Sequence, residues 1–245
     1  MGLGSCGGGA ITAIAGSKNI SLTSATLPAS ASCTFAVNVT ATIAGKQHNT
    51  TSAVTSLQGG TGNAASATIT VFAPALTDYF SNAHTVGAPD GTLLVNNSGG
   101  TGGSLCADIF VFDANEEMSE CCSCTVTPDG LLTLSVNIDV TGNPLGSGFL
   151  SRGVITIIPA AQTGGVCPLP TAITGVPPDM NAWLTHIQTS TGGFNITEAG
   201  VGSQTIELSA EDLTTFEGQC AAVTSLGSGT GVCSNSAALA AICDQ

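Results

Sequence analysis

Three cysteines fall within four positions of the stretch DANEEMSECCSCTVTPDG, residues 113–130, directly after a run of acidic residues. The thiols of Cys121, Cys122 and Cys124 suit three kinds of chemistry: zinc binding, redox exchange and disulfide formation. Structural zinc sites usually draw on well-spaced Cys and His ligands, whereas this cluster is crowded and no second C-x-x-C pair follows it. Disulfides tolerate such crowding when their partners lie far away in the sequence. The pattern therefore favours disulfide bonds over a metal or redox site.

The whole set of ten cysteines extends this interpretation to the cellular compartment. An even number of cysteines without a haem-attachment or zinc-ribbon motif predicts a disulfide framework, and hence an extracellular or cell-surface location. The candidate disulfide residues are Cys6, Cys33, Cys106, Cys121, Cys122, Cys124, Cys167, Cys220, Cys233 and Cys243. The first residues lack the basic and apolar regions of a signal peptide, so we expect that a signal was removed or that the chain is a fragment.

The composition excludes several classes of partner. Charged residues make up 8% of the chain, and 16 Asp and Glu against 3 Lys and Arg give a net charge of −13. Nucleic acids and anionic membranes are bound through Lys and Arg, so neither is an expected partner. No apolar run approaches the roughly 18 residues of a transmembrane segment. Stability must then come from apolar burial and cross-links.

The acidic run beside the cysteines is a candidate calcium site, because oxygen ligands at alternate positions suit that ion. The calcium candidates are Asp113, Asn115 and Glu117, with Glu116 and Glu120 in the same run. The full EF-hand loop with its glycine at the sixth position is absent, so a solvated acidic turn is the favoured interpretation. We expect no metal site here.

The sequence offers little for catalysis. Paired carboxylates such as those of glycoside hydrolases occur by residue type only, at Glu116/Glu117 and Glu211/Asp212. Aromatic residues total 4%, which leaves few platforms for sugar stacking. The nucleophile pattern G-x-S-x-G and the phosphate-binding loop are absent, and the histidines are scattered at His48, His84 and His186. We therefore expect no enzymatic activity and no cofactor.

Five asparagines lie in N-x-S/T sequons and are candidates for glycosylation, although chance matches are common in a chain so rich in Ser, Thr and Asn. These residues are Asn19, Asn38, Asn49, Asn96 and Asn195.

Residues 1–73 are predicted to be all β. The stretch 33–45 alternates apolar and polar residues with period 2, and 48–57 and 65–73 are predicted as further strands around a Gly-rich turn. Shorter strands are predicted at 10–16 and 19–27. Strands and turns at this spacing suggest a β-sandwich.

These residues also carry a resemblance. The motifs CGG at 6–8, LPASASC at 27–33, VNVT at 37–40 and NT at 49–50 resemble the C-terminal portion of a repeated β-sandwich domain, of unknown function, from bacterial cell-surface proteins. The resemblance implies an Ig-like sandwich over about residues 1–73 and brings no catalytic residues. Cys6 and Cys33 are the only cysteines in this segment, so a bond between them is the simplest pairing.

An Ig-like sandwich needs about seven strands, and residues 1–73 supply about five. Such an incomplete sandwich needs an additional strand, from upstream sequence, from the second region or from another copy. We expect the last of these, which would build a filament or pilus-like homopolymer by β-strand complementation. The alternative is the C-terminal fragment of a larger cell-surface adhesin or binding module.

Residues 74–92 are predicted as a joint, and residues 93–245 as a disulfide-rich β domain with one or two short helices. Strands are predicted within 92–97, 105–114, 130–139 and 148–160, and a hairpin from 194–200 and 203–208. Residues 181–190 are predicted as a short helix, and 209–226 as a longer one with Ser209 as N-cap.

The cysteines of this second region connect its predicted elements. Adjacent cysteines rarely bridge each other, so Cys121 and Cys122 are expected to reach different elements, one of them the helix that carries Cys220. The region also resembles cysteine-rich C-terminal regions of uncharacterised bacterial secreted proteins, through its CCSC segment and the later QCAAVTSLGSGTGVC. That resemblance implies export and no particular chemistry.

Overall fold

The computed structural model describes residues 6–41, 43–146, 148–173, 175, 179–201 and 206–227. Within them the chain is mainly β, and every strand pairs antiparallel to its neighbours. The chain divides into two compact units, residues 1–41 and 42–245. Cys233 and Cys243 lie outside the described residues.

The first unit contains a single described hairpin and one disulfide bond. Strand β1 (Ala10–Ala13) pairs with β2 (Ile20–Thr23), and Cys6 is bonded to Cys33, the pairing that the sequence analysis considered simplest. Gly7 in the CGG motif has φ of +55°, and a Cβ placed there would lie 1.7 Å from the carbonyl oxygen of Thr26. Only glycine fits this close approach of two backbone segments.

The second unit begins with a two-stranded ribbon, which we define as residues 45–71. Its strands are β3 (Gly45–Thr50), β4 (Thr55–Ser56), β5 (Gly60–Thr61) and β6 (Ser66–Val71). The pairs β3–β6 and β4–β5 form two short sheets, one after the other along the ribbon.

Downstream of the ribbon, a β-sandwich spans residues 73–208. Its described strands are β7 (Ala73–Ser81), β8 (Thr92–Asn97), β9 (Leu105–Phe112), β10 (Met118–Val126), β11 (Leu131–Ser135), β12 (Arg152–Ala161), β13 (Met180–Ser190), β14 (Gly193–Val201) and β15 (Ile206–Leu208). A five-stranded sheet has the order β10-β9-β12-β7-β15, and a four-stranded sheet has the order β11-β8-β13-β14. The sandwich therefore lies downstream of the segment to which the sequence analysis assigned it.

The main core lies between these two sheets. Alternate residues of each sheet face inward, among them Leu93 and Val95 from one sheet and Ile155 and Ile157 from the other, all fully buried. Fully burying one such aliphatic side chain contributes roughly 1.5–3 kcal/mol, so this layer is the main source of stability.

A helix covers the outer face of the five-stranded sheet. Helix α1 (Ala210–Ser225) begins at a capping box, in which the Oγ of Ser209 accepts from the backbone N–H of Asp212 and the Asp212 carboxylate accepts from the N–H of Ser209. The predicted helix at 209–226 is therefore confirmed. Its apolar side packs on β10, where Cys220 is bonded to Cys121. Because the core lies on one side and α1 on the other, β10 is buried on both faces.

Strand β11 is shorter than the predicted strand at 130–139. It ends at Ser135, and a single π-helical turn (Val136–Val140) follows. The Oγ of Ser135 caps this turn by accepting from the N–H of Ile138, and Asp90 accepts hydrogen bonds from Ser135 Oγ and from the N–H of Asn137. These polar caps satisfy backbone groups that the strand no longer pairs.

The predicted strand at 33–45 is wrong. Residues 33–41 form no strand apart from a single bridge at Ala36. Val39 is 68% exposed and Ile43, in the second unit, is 63% exposed, while Phe35 and Val37 are half-buried. None of these residues belongs to a core. Period 2 indicates which side chains share a face, but not whether a second layer covers that face.

Four further predictions need correction. Residues 181–190 form strand β13 rather than a short helix, and the joint predicted at 74–92 begins with most of β7. The predicted hairpin of 194–200 with 203–208 is wrong, because β14 pairs with β13 while β15 pairs with β7. The CCSC segment, for which no strand was predicted, lies in β10.

Candidate interaction surface

From His48 to Thr70, neither face of the ribbon is covered by an apolar layer of described residues. Every side chain from His48 to Thr70 is exposed, including Val54 at 71% and Leu57 at 99%. A two-stranded hairpin alone is marginally stable in water, and three strands or a packed face are normally needed. The ribbon therefore presents backbone and apolar surface in a form that a further strand would stabilise.

Local sequence explains why the ribbon forms. Thr-rich segments suit a pleated strand, and the Gly-rich turn at 57–60 reverses the chain. Gly60 adopts φ of +74°, and the N–H of Gly59 donates to Ser56 Oγ over 2.7 Å. Between the two pairs of strands, the N–H of Thr51 donates to the carbonyl oxygen of Ala65 over 2.8 Å, so hydrogen bonding continues toward the tip.

The base of the ribbon is fixed to the sandwich. Strand β6 continues into β7 after a single residue, and Ala44 packs against the cluster beneath α1. A Cβ placed on Gly45 would lie 3.2 Å from the Cβ of Ala210, which shows how close the ribbon passes to the start of α1. The distal part of the ribbon is thus exposed, whereas its base is packed.

Several strands have an edge without a backbone partner among the described residues. Strands β3 and β6 each pair on one side only, and so does β14 at the edge of the four-stranded sheet. Strand β14 is nine residues long and mostly exposed, and its only charged side chain is Glu198. Long, exposed edges of this kind are templates for pairing with another chain.

A buried carboxyl group lies on the five-stranded sheet, beneath the segments that cover its outer face. Asp108 on β9 is 3% exposed, and Ser123 Oγ of β10 donates to its Oδ1 over 2.5 Å. It lines a small cavity beside Pro168 and Ile173. Burial raises the pKa of Asp108 to about 7; the hydrogen bond from Ser123 lowers it, and the nearby Glu217 carboxylate raises it. The side chain is therefore largely protonated in mildly acidic solution.

A second buried carboxyl group lies at one end of the sandwich core. Glu120 on β10 is 1% exposed, and its Oε1 accepts from the N–H of Asn143 over 2.9 Å. Burial raises the pKa of Glu120 to about 8, although the hydrogen bond from Asn143 lowers it. Its Oε2 and the neighbouring Ser119 Oγ have no hydrogen-bond partner among the described residues. The carboxyl groups of Asp108 and Glu120 therefore each destabilise the fold when they ionise.

A third polar cluster links the two sheets. His186 Nε2 on β13 lies 3.1 Å from Asp78 Oδ2 on β7, and the His186 ring stacks on Tyr79 with centroids 4.3 Å apart. The two side chains lie within ion-pair distance, but His186 Nε2 makes no hydrogen bond with the described residues. Tyr79 is held in turn by Gln188, whose Nε2 donates to its hydroxyl oxygen over 3.0 Å. The His186 ring is therefore held by stacking on Tyr79 and by its proximity to Asp78, while its Nε2 is left without a hydrogen bond among the described residues.

The remaining predicted histidines also have structural partners. His48 accepts from or donates to Thr68 across the ribbon over 2.8 Å. His84 contacts the hydroxyl of Thr141 over 2.9 Å and stacks on Phe149. The three histidines therefore lie apart and form no common site.

The candidate calcium residues form a turn that closes on itself. Asp113 Oδ1 accepts from the backbone N–H groups of Asn115 and Glu117 over 2.8 and 3.0 Å, so this oxygen caps its own loop. Glu120, from the same acidic run, is instead buried in β10. Among the described residues, no three His, Cys, Asp or Glu side chains converge in a way that could hold a metal ion.

The paired acids considered for hydrolysis belong to exposed local structure. Glu116 occupies the Asp113 turn with φ of +68°, next to Glu117. Glu211 and Asp212 lie in the first turn of α1, where Asp212 forms the capping box. Hydrogen bonds from Ser209 lower the pKa of Asp212, which is the opposite of what a general acid requires.

The sequon asparagines differ in how accessible their amide nitrogens are. Asn19, Asn38, Asn49 and Asn195 are exposed, whereas Asn96 is half-buried and its Nδ2 donates to the carbonyl oxygen of Gly130 over 2.9 Å. Glycosylation at Asn96 would replace one of the two hydrogens on this half-buried nitrogen with a bulky glycan.

Two disulfides anchor the periphery of the sandwich. Cys106 on β9 is bonded to Cys167 in the loop after β12, and Cys121 is bonded to Cys220 of α1, the element that the sequence analysis expected. Cys124 is also disulfide-bonded, and Cys122 is buried in the core between the sheets. No described helix is both long and apolar enough to cross a membrane.

Sequence reasoning missed the residues that stand out in this structure. Asp108 could have been noticed, because an acid inside the apolar run LCADIFVF has to be buried with its strand. The uneven distribution of charge was also visible: the first acidic residue of the chain is Asp78, and all 16 lie from there onward. The burial of Glu120 could not be seen, because the preceding acids of the same run are solvated.

Comparison with known proteins relates only the first part of the chain to others. Residues 3–71 are similar to a family described as a domain of unknown function (DUF7933), and this match ends at the last residue of the ribbon. No curated protein and no solved structure matches the chain.

Proposed function

We propose that this chain is an extracellular, non-enzymatic structural protein whose copies associate by β-strand addition. The observation that carries the proposal is the ribbon, which is exposed on both faces from His48 to Thr70 and whose outer strand edges have no partner among the described residues. It leads directly into a disulfide-bonded sandwich. Strand addition uses backbone hydrogen bonds that any extended segment can supply, so it needs no dedicated pocket.

The disulfides support the extracellular part of this proposal. Cys106–Cys167 and Cys121–Cys220 close separations of 61 and 99 residues. In the chain-entropy view, loops of this length contribute about 4 kcal/mol each, which is comparable with the whole stability of many domains. Such bonds persist in oxidising surroundings and are rare in the cytosol.

The polar clusters support a structural role over a catalytic one. Asp108 and Glu120 are buried, and the Asp78–His186 pair links two sheets. Ser123 Oγ, the hydroxyl beside Asp108, is buried with it and donates to it, and no three metal-binding side chains converge among the described residues. The burial of these groups inside the sandwich favours a structural role.

A second candidate is a binding module of a larger surface protein. It is favoured by the outer face of the four-stranded sheet, where Trp183 is 37% exposed and pairs across the strands with Leu94. Trp183 also lies over Gly200 of β14. The packing of an aromatic ring against a strand glycine is by itself a structural reason for a tryptophan at this position.

Sedimentation velocity of the oxidised protein over a range of concentrations tests self-association. Consecutive residues of a strand direct their backbone N–H groups to opposite sides of the strand. When Gln47→Pro and His48→Pro are made separately, one of the two variants therefore removes an outward-facing donor from β3. We expect association that rises with concentration and is weakened by that variant, while Gln47→Ala and His48→Ala, which keep the N–H, behave as the parent. A parent protein that stays monomeric at all concentrations would contradict the proposal and favour the binding module.

A further inference from the structure

The charges of this chain are divided between its two ends. Residues 1–77 contain no Asp or Glu and two of the three basic residues, Lys18 and Lys46, whereas residues 78–245 contain all 16 acids and only Arg152. The net charge is therefore +2 before residue 78 and −15 from there onward. Two sandwiches repel each other, while the ribbon of one copy is attracted to the sandwich of another.

The ribbon is the part of the second unit that can approach an acidic surface. It contains Lys46 and His48 and no acid, and both side chains are exposed on β3. Because backbone pairing at an edge is insensitive to side-chain identity, charge is the feature that selects among the available edges.

Strand β14 is the edge that fits best. Strand β10 is buried, β15 has three residues, and β11 has five and leads directly into the capped π-helical turn. Strand β14 offers nine residues, mostly exposed, with Glu198 near its centre. It is thus long enough for the six residues of β3 and carries the complementary charge.

Building on the proposed self-association, we propose that strand β3 of one copy adds antiparallel to the free edge of β14 in a second copy, with Lys46 opposite Glu198. This register places His48 opposite Ile196, which is 59% exposed, and Thr50 opposite Phe194. On this face the register places one pair of opposite charges and two polar–apolar pairs opposite each other. It places no like charges opposite each other.

The proposed contact is head-to-tail. The donor edge β3 and the acceptor edge β14 are different surfaces, and each copy carries both. In a dimer joined by one such heterologous contact, one donor edge and one acceptor edge are still unoccupied. Further copies can therefore add, and the assembly extends into a ring or an open filament. On the other face of the same pairing, Asn49 stands opposite Asn195, and both lie in sequons. A glycan on either residue would therefore block assembly.

A carbodiimide cross-linking experiment tests the contact directly. The chain has only two lysines, Lys18 and Lys46, so few amine–carboxylate links can form. In an equal mixture of light and isotopically heavy protein, we expect a light–heavy cross-linked peptide that joins Lys46 to Glu198. A link from Lys46 of one copy to a carboxylate on another edge, with none to Glu198, would overturn the proposed acceptor.

Charge reversal provides the second arm. Lys46→Glu and Glu198→Lys each place like charges opposite each other, and we expect each to weaken association about tenfold. Mixing the two variants restores opposite charges at every contact and should restore assembly. The matched controls Lys18→Glu and Glu116→Lys change the net charge equally at exposed positions outside β3 and β14, and should leave association unchanged.

The outcomes separate this inference from the proposed function. If the ribbon proline variant weakens assembly while the reversals at 46 and 198 do not, the partner edge is wrong and strand addition stands. If the unmodified protein does not associate, both proposals fail. Equal weakening by the control reversals would mean that net charge, and not this pair, governs association.

Discussion

The two buried carboxyl groups predict that the sandwich is more stable in mildly acidic than in mildly alkaline solution. Burial raises the pKa of Asp108 from its ordinary 3.8 to about 7, and that of Glu120 from 4.5 to about 8. Each group is therefore protonated in the folded chain over a pH range in which the unfolded chain ionises it. In that range the folded state binds more protons, so the free energy of unfolding falls as pH rises.

The magnitude follows from the size of the shifts. One pKa unit corresponds to about 1.4 kcal/mol, so each group removes on the order of 4 kcal/mol between its unfolded and folded pKa. The stabilising contribution is complete below about pH 4, and it is lost progressively up to about pH 7 for Asp108 and pH 8 for Glu120. Because whole domains are stable by roughly 5–15 kcal/mol, the loss is easily measured.

Urea unfolding of the oxidised protein, followed by far-UV circular dichroism at a series of pH values, measures this effect. Glu120→Gln keeps an oxygen acceptor for the N–H of Asn143 and cannot ionise, and Asp108→Asn does the same for Ser123 Oγ. Each variant should flatten the pH dependence by about half. Glu117→Gln, at an exposed position, is the matched control and should keep the slope of the parent.

A free energy of unfolding that is constant or rises from about pH 4.5 to pH 8 would refute this reasoning. So would an unchanged slope in both neutral variants, because the pH dependence is assigned to Asp108 and Glu120. Asp212 has the opposite pH dependence. Hydrogen bonds from Ser209 lower its pKa, so its contribution to the free energy of unfolding is lost only as the pH falls below its ordinary pKa of 3.8.

Three further predictions concern the framework. Replacing Cys121 and Cys220 together by Ala should reduce the free energy of unfolding by about 4 kcal/mol and deprotect α1 in hydrogen exchange, and full retention of protection would contradict the role of this bond. Gly153→Ala should destabilise the sandwich by several kcal/mol, measured by thermal unfolding, because its Cβ would lie 2.1 Å from a backbone oxygen; Gly218→Ala on open helix surface is the control and should stabilise by up to about 1 kcal/mol. Ser209→Ala should cost about 1 kcal/mol by removing the capping box, and an unchanged midpoint of urea unfolding would argue against that cap.

Local signals in the sequence were enough for some elements. The capping box at Ser209 specifies the start of α1 by hydrogen bonds within four residues, so it could be predicted without knowledge of the packing. The alternation in 92–97 likewise predicts β8, because one of its faces is buried and the other is partly exposed. Both signals depend only on neighbours in the chain.

Other elements depend on what covers them. Strand β10 has no alternation to detect, because α1 and the core bury opposite faces of Met118–Val126. In 181–190, Trp183, Leu184 and Ile187 match helical spacing, but β8 and β14 pair with the segment on both sides and impose an extended backbone. The edges of the candidate surface are likewise defined by which strands lack neighbours, which only the assembled topology shows.

The bond between Cys121 and Cys220 has a consequence for how the chain matures. If the chain is exported from its N-terminus, as the proposed function implies, Cys121 meets oxidants 99 residues before its native partner emerges. At that moment Cys122 and Cys124 are its nearest thiols, so premature oxidation traps wrong bonds that must later be exchanged. Recombinant yield should therefore depend on an isomerase that reshuffles thiols after translocation ends, more than on the strength of the oxidant.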